Sequence, residues 1–187
     1  MHRDSTFYFD IPRPQRLSRL LIFVKWLLIL PHTLILWAYG ILAGIAGFVG
    51  WWAVLILGYF PEGLWGILYG YVRWTTRVGI YTSLLRDEYP PFGEAPYPME
   101  FHLERPERQS RLLVIGRIFL MIPLAFWLAI VGIWAAILLF IAFFAILFTG
   151  NIPEGIFDTL VRITRYSLKV SLYLYVMTDT WPGFAID

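Results

Sequence analysis

The chain has 187 residues, 59% of them apolar and 15% charged, against roughly 45 to 50% and roughly 25% in soluble domains. That is more apolar surface than a chain this short hides in one water-surrounded core, which excludes an ordinary soluble enzyme and makes lipid the expected solvent. The 15 Lys and Arg nearly balance 13 Asp and Glu, without the interleaved basic and aromatic residues of a nucleic-acid binder, so no nucleic-acid partner is expected. The absence of cysteine removes disulfides, thiolate metal sites and cysteine nucleophiles.

Residue i matches residue i+92 without a gap, and about a third of the aligned pairs between residue 9 and residue 92 are identical, the mark of a tandem duplication. The units are 1–92 and 93–187. Each opens on a segment between prolines, 6–12 and 98–104, whose imperfect alternation predicts a short strand outside the bilayer. The neighbouring acids Asp4, Asp10, Glu94 and Glu100 fit an aqueous setting, and equivalent strands beside a pseudo-twofold axis can pair.

From Trp26 to Phe60, and again from Ile118 to Ile152, there is no Asp, Glu, Lys or Arg. A single helix of about 35 residues would be about 52 Å long, beyond a hydrocarbon core of about 30 Å. Pro31 and Pro123 occupy equivalent places, as do Gly40 and Gly132. One layout turns at the glycines to make a helical hairpin; another places an interfacial helix before the proline and one long crossing after it. Basic residues flank each run on both sides, and a hairpin brings them to one face, as the positive-inside rule favours. The expectation is therefore a transmembrane or re-entrant hairpin over 20–60 and another over 112–152. Lys25 and Arg117 then reach for the headgroups from the boundary.

After Pro61 and Pro153 the pattern becomes amphipathic, over 62–86 and 154–178. In the second copy Glu154, Asp158, Arg162, Arg165 and Lys169 recur at helical spacing, acids first and bases later, as the helix dipole prefers. The first copy keeps Arg73 and Arg77 among Trp65, Tyr69, Tyr71 and Trp74, suited to headgroup depth. The fold class expected is an all-α integral membrane protein of two tandem repeats, each a hairpin plus an interfacial amphipathic helix, with short extramembrane strands.

The residues that return in register carry a resemblance. Arg108, Ser110, Arg111, Phe148, Thr149, Gly150, Pro153, Gly155, Phe157, Asp158, Thr178, Asp179, Trp181, Pro182 and Phe184, preceded by Tyr97 and Pro98, resemble a bacterial membrane family known as domain of unknown function 4389. The first copy departs from it at Leu57, Trp65 and Gly66. The resemblance covers nearly the whole chain and implies a bacterial inner-membrane location, with no established activity or catalytic residue.

Candidate lipid headgroup-binding residues are Lys25, Arg73, Arg77, Arg117, Arg162, Arg165 and Lys169, each surface charge contributing on the order of 1 kcal/mol toward anionic lipid. His32, the ionisable residue inside an apolar run, is a candidate axial ligand for haem or chlorophyll, set against a packing histidine beside Pro31. Its repeat partner is Leu124, which favours packing. Asp87 and Asp179 can form a carboxylate pair, but an Asp before an aromatic-proline step more often satisfies backbone donors. Phosphate-loop, dinucleotide, zinc-protease and nucleophile-elbow motifs are absent. The function expected is a non-catalytic, multi-pass scaffold or accessory subunit that binds phospholipid and partner helices or its own copies, basic face cytoplasmic. A membrane-shaping wedge and a small transporter or channel are the alternatives.

Overall fold

The computed structural model describes residues 7–93 and 95–186; His2, Asp4, Thr6 and Glu94 lie outside the described residues. The elements are β1 (Phe7–Asp10), α1 (Leu21–Leu28), α2 (Leu30–Leu57), α3 (Glu62–Thr82), β2 (Glu100–Leu103), α4 (Arg111–Thr149) and α5 (Glu154–Leu174). The two strands pair antiparallel with Phe9 opposite Phe101. Those two residues are also counterparts under the repeat, so the pseudo-twofold axis passes between them.

The hairpins expected over 20–60 and 112–152 are not formed. Each run is a rod. α4 is a continuous 39-residue helix that passes through Gly132, with Pro123 inside it. In the first copy α1 and α2 meet at Ile29, whose N–H bonds the Lys25 carbonyl at 3.1 Å while its own carbonyl accepts from Thr33 at 2.9 Å. Helical bonding thus runs through the junction. The physical reason is hydrogen-bond satisfaction: a turn at Gly40 or Gly132 would free several backbone donors and acceptors on either side, and no Asn, Asp or Ser stands nearby to receive them. Pro31 stands at the start of α2, beside the break at Ile29, as expected of a residue that lacks the N–H and crowds the preceding turn, whereas α4 continues through Pro123.

Both rods end on a left-handed glycine, Gly58 (φ 82°) and Gly150 (φ 77°). The amphipathic helices stop about one turn short of 86 and 178. Leu85 N–H bonds the Ile80 carbonyl at 3.2 Å and Leu84 N–H the Tyr81 carbonyl at 3.3 Å; Met177 and Val176 repeat the pattern on Leu172 and Tyr173. This is a Schellman closure with a left-handed residue, Leu84 (φ 61°) or Val176 (φ 60°), where glycine is usual. A non-glycine residue costs roughly 1–2 kcal/mol there. Burial of Leu84, Leu85, Val176 and Met177 in the core offsets the strain and turns the chain back toward the rods.

The rods run antiparallel. Leu17 N–H bonds the Gly150 carbonyl at 2.8 Å, and Gln109 N–H bonds the Gly58 carbonyl at 2.8 Å, so each rod's start is tied to the other's end. α3 packs back along α2 and α5 along α4. The β1–β2 ribbon rests on this inner pair: Tyr69 Oη donates to the Phe101 carbonyl at 3.4 Å and Arg165 Nε to the Phe9 carbonyl at 3.1 Å. The order is rods, amphipathic helices, ribbon. Large apolar side chains are exposed along the whole length of α1, α2 and α4, and among the described residues none of them belongs to α3, α5 or the strands.

One contact inside this core shows how the copies diverged together. A Cβ on Gly50 would fall 1.9 Å from the Phe60 ring, whereas the second copy has Ala142 with Ile152. Gly50→Ala is expected to destabilise the protein by about 1–3 kcal/mol through overpacking, and adding Phe60→Ile is expected to recover most of that loss. Gly44→Ala, with nothing within 4 Å, is the neutral control, all three read by thermal unfolding in detergent.

Candidate functional site

Lys25 projects from the first turns of its rod, where the sequence places it at a lipid boundary. It is instead 3% exposed. Its Nζ lies 2.9 Å from Asp87 Oδ1, donates to the Arg86 carbonyl at 2.6 Å and sits 4.6 Å over the Tyr81 ring. Arg117, equally buried, repeats the arrangement at the other end. It pairs with Asp179, donates to the Tyr173 and Thr178 carbonyls at 3.0 and 2.8 Å, and lies 4.5 Å over the Tyr173 ring. The second oxygen of each Asp accepts the N–H of Ser18 or Ser110, and each serine's hydroxyl accepts a backbone N–H of the next turn, Leu21 or Leu113. One constellation of Ser, basic residue, Tyr and Asp therefore locks each rod to its returning segment.

These contacts correct the headgroup assignment of Lys25 and Arg117, because a desolvated cation depends on its fixed carboxylate and has no freedom to reach lipid. Arg77 is corrected likewise: it is 2% exposed and donates to the Gly93 carbonyl at 2.7 Å. Arg165, one-quarter exposed, holds β1 through Phe9 and lies 3.7 Å from Asp10. Arg73 and Lys169 are half-buried and Arg162 is exposed. The cationic stripe thus faces the ribbon side more than the rods. Asp87 and Asp179 serve opposite ends of the rods and form no carboxylate pair.

Other exposed cations gather at the rod ends. Arg13, Arg16 and Arg19 stand at one end, Arg105, Arg108 and Arg111 at the other. A Cβ on Gly150 would be 3.5 Å from both Arg16 Nε and Arg19 Nε, and one on Gly58 3.4 Å from Arg111 Nε. Guanidinium groups therefore cover the carbonyl-rich end of each rod, where the helix dipole favours them. Arg13 also donates to the Ile152 carbonyl at 2.8 Å and pairs with Glu154, as Arg105 does with Phe60 and Glu62. The repeated Arg-x-x-Arg-x-x-Arg spacing was the sequence signal for this cluster, but spacing alone ties it to the helix that follows, not to the end of the opposite one.

His32 is fully buried. Trp74 Nε1 donates to its Nδ1 at 3.1 Å, Phe92 stacks on it at 4.1 Å and Tyr89 lies at 4.9 Å. Its ring is enclosed by the protein's own aromatics and its Nε2 is buried as well, so no space is open beside either nitrogen for a macrocycle; it fastens the closing segment onto α2. Beyond the helices, burial disfavours the charged form of Glu88, but its own and Asp87's backbone groups and the Arg86 guanidinium outweigh this and hold the carboxyl below its usual range. Burial pushes the Tyr97 phenol up. Among the described residues no group of three or more His, Asp and Glu is placed to hold a metal ion.

The family described as "Domain of unknown function (DUF4389)" matches residues 19–93 and again residues 111–185. The chain belongs to this family, in two tandem copies. No curated protein and no solved structure matches it. The start of each match coincides with the rod and its close with the segment carrying Asp87 or Asp179, so the family unit is a rod, an inner helix and the lock between them.

Asp179→Asn is expected to destabilise the protein by about 2–4 kcal/mol, since it strands a buried guanidinium beside a half-open carboxylate site. Arg117→Met with Asp179→Asn is expected to cost less than the single change, a non-additivity that a double-mutant cycle in detergent reads directly.

Proposed function

We propose that this is a non-catalytic membrane protein that lies in the plane of one leaflet and acts as a lipid-bound scaffold for partner membrane proteins. The observation that carries the reading is one-sidedness: the exposed apolar residues lie on the rod layer and its flanking segments, while the ribbon and α5 present Asp10, Glu100, His102, Asp158 and Arg162. A spanning protein wears an apolar belt around its whole circumference. Here a spanning orientation would draw Arg165 and Asp10, paired alongside the middle of α5, into hydrocarbon, where an ionised side chain costs a few kcal/mol or more.

Length supports the same orientation. The rods cover residues Leu21–Leu57 and Arg111–Thr149, about 55 Å and about 58 Å long at 1.5 Å per residue, nearly twice a hydrocarbon core of about 30 Å. Each is long and apolar enough to cross a membrane. Laid flat, both rods sink their outer faces into the acyl region, and the arginine triads at their two ends meet the phosphate layer at one depth. The pseudo-twofold axis then coincides with the membrane normal, and the copies see the leaflet identically. The bilayer meant is the bacterial inner membrane, which the family resemblance implies.

With no native cysteine, Arg19→Cys and Arg111→Cys in separate chains make a direct test in sealed vesicles. Both are expected to react with an impermeant maleimide from the same side; labelling from opposite sides would return the rods to a spanning orientation. Arg16, Arg19, Arg108 and Arg111 changed together to Gln are expected to weaken flotation with anionic vesicles and to leave flotation with zwitterionic vesicles nearly unchanged.

A further inference from the structure

Between α3, α4 and α5 lies a cavity of about 460 Å³, within the range of roughly 300–1,000 Å³ typical of small-molecule sites. The duplication shows why it is open. In the first copy the corresponding groove is filled by Tyr39 and Tyr71, whose rings meet edge to face at 5.6 Å. Tyr71 Oη comes 3.1 Å from the Cβ position of Gly40, and Tyr39 Oη 2.7 Å from that of Gly70. In the second copy Gly40 is retained as Gly132, but Tyr39 becomes Val131, Tyr71 becomes Ile163 and Gly70 becomes Arg162. The α4 and α5 walls therefore lack these fillers, Arg162 stands at the position equivalent to Gly70, and Tyr71 itself only borders the cavity from α3. Val131, Gly132 and Ile163 line the space left.

The walls specify a ligand class. On the α4 side the lining is Leu128, Val131, Gly132, Ala135 and Leu139; among the described residues no Asp, Glu, His, Lys or Arg lines the cavity. The inner wall carries hydroxyls, and those of Thr75, Thr76, Thr164 and Ser171 already donate to carbonyls of their own helices at 2.9, 2.7, 2.8 and 2.9 Å. Those four present lone pairs, while the hydroxyls of Tyr71, Ser83, Ser167 and Tyr175 line the same cavity, so a ligand hydroxyl, which both donates and accepts, meets partners of either kind. A phosphate or carboxylate would find no cation among this lining to offset its desolvation. An entry exists on α4, where Gly132 is exposed and nothing lies within 4 Å of its Cβ position.

We propose that this cavity binds one uncharged, hydroxyl-bearing, single-chain lipid of the monoacylglycerol class, with its chain along α4 and its hydroxyl against the Thr and Ser wall. The inference rests on the membrane reading above, since the occupant is drawn from the leaflet around α4. The test uses the full-length protein in detergent with 1-monooleoylglycerol, read by native mass spectrometry, beside flotation of the same preparations on vesicles. Wild type is expected to retain one monooleoylglycerol. Ile163→Tyr, which restores the first copy's filler opposite a retained glycine, is expected to lower occupancy at least tenfold with flotation unchanged. Gly132→Leu, which blocks the cavity from the other wall, is expected to do the same. Equal occupancy in wild type and both variants, or equal retention of an anionic lysophosphatidylglycerol at the same site, overturns the proposal. Wild type that floats but retains no monooleoylglycerol overturns it alone; wild type that fails to float overturns the membrane reading instead.

Discussion

Everything in this fold depends on how the open ends of two very apolar helices are closed. The last carbonyls of a long helix have no partner within it, and here each rod's terminal glycine carbonyl accepts an N–H from the chain entering the other rod, Leu17 to Gly150 and Gln109 to Gly58. Arginines then cover the same ends. This exchange makes the rods antiparallel, makes neither copy complete alone, and sets the axis on which Phe9 meets Phe101. Once the ends are crossed, the amphipathic helices have one surface on which to lie and the ribbon has one place above them.

The duplication separates what the architecture requires from what each copy is free to change. The lock between rod and returning segment survives with a lysine in one unit and an arginine in the other, because both cations reach the same aspartate, tyrosine ring and backbone carbonyl. Core volume is conserved by exchange, with Gly50 and Phe60 answered by Ala142 and Ile152. The groove beside the inner helices is not conserved: Tyr39 and Tyr71 close it in one unit, and Val131 and Ile163 leave it open in the other. A symmetric frame thus carries one asymmetric feature, and asymmetry between duplicated units is where specialised binding has room to arise.

The two ranks of charge in the molecule have different work. Buried cations such as Lys25, Arg77 and Arg117 hold backbone carbonyls or carboxylates in place, and their desolvation is tolerated only because those partners are fixed. Exposed arginines at the rod ends remain available to anions outside the protein. Sequence position does not separate the ranks, since Arg19 and Lys25 lie within two helical turns of each other.

The sequence by itself determined the duplication, the family, the charge-free runs, the amphipathic helices and the short strands, because each is written in local periodicity or in a fixed offset between residues. It also favoured a structural part for Asp87 and Asp179 and a packing part for His32. Whether the apolar runs turned or ran straight was decided by the tertiary structure, since the positive-inside argument assumed a spanning layout and the backbone's hydrogen-bond demand favoured unbroken helices. Burial of Lys25, Arg77 and Arg117, and the gathering of the exposed arginines over the opposite rod's end, depend on contacts between residues 16 to more than 130 positions apart. No local pattern encodes which helix end will lie beneath a given guanidinium; only the crossed pairing of the rods brings them together.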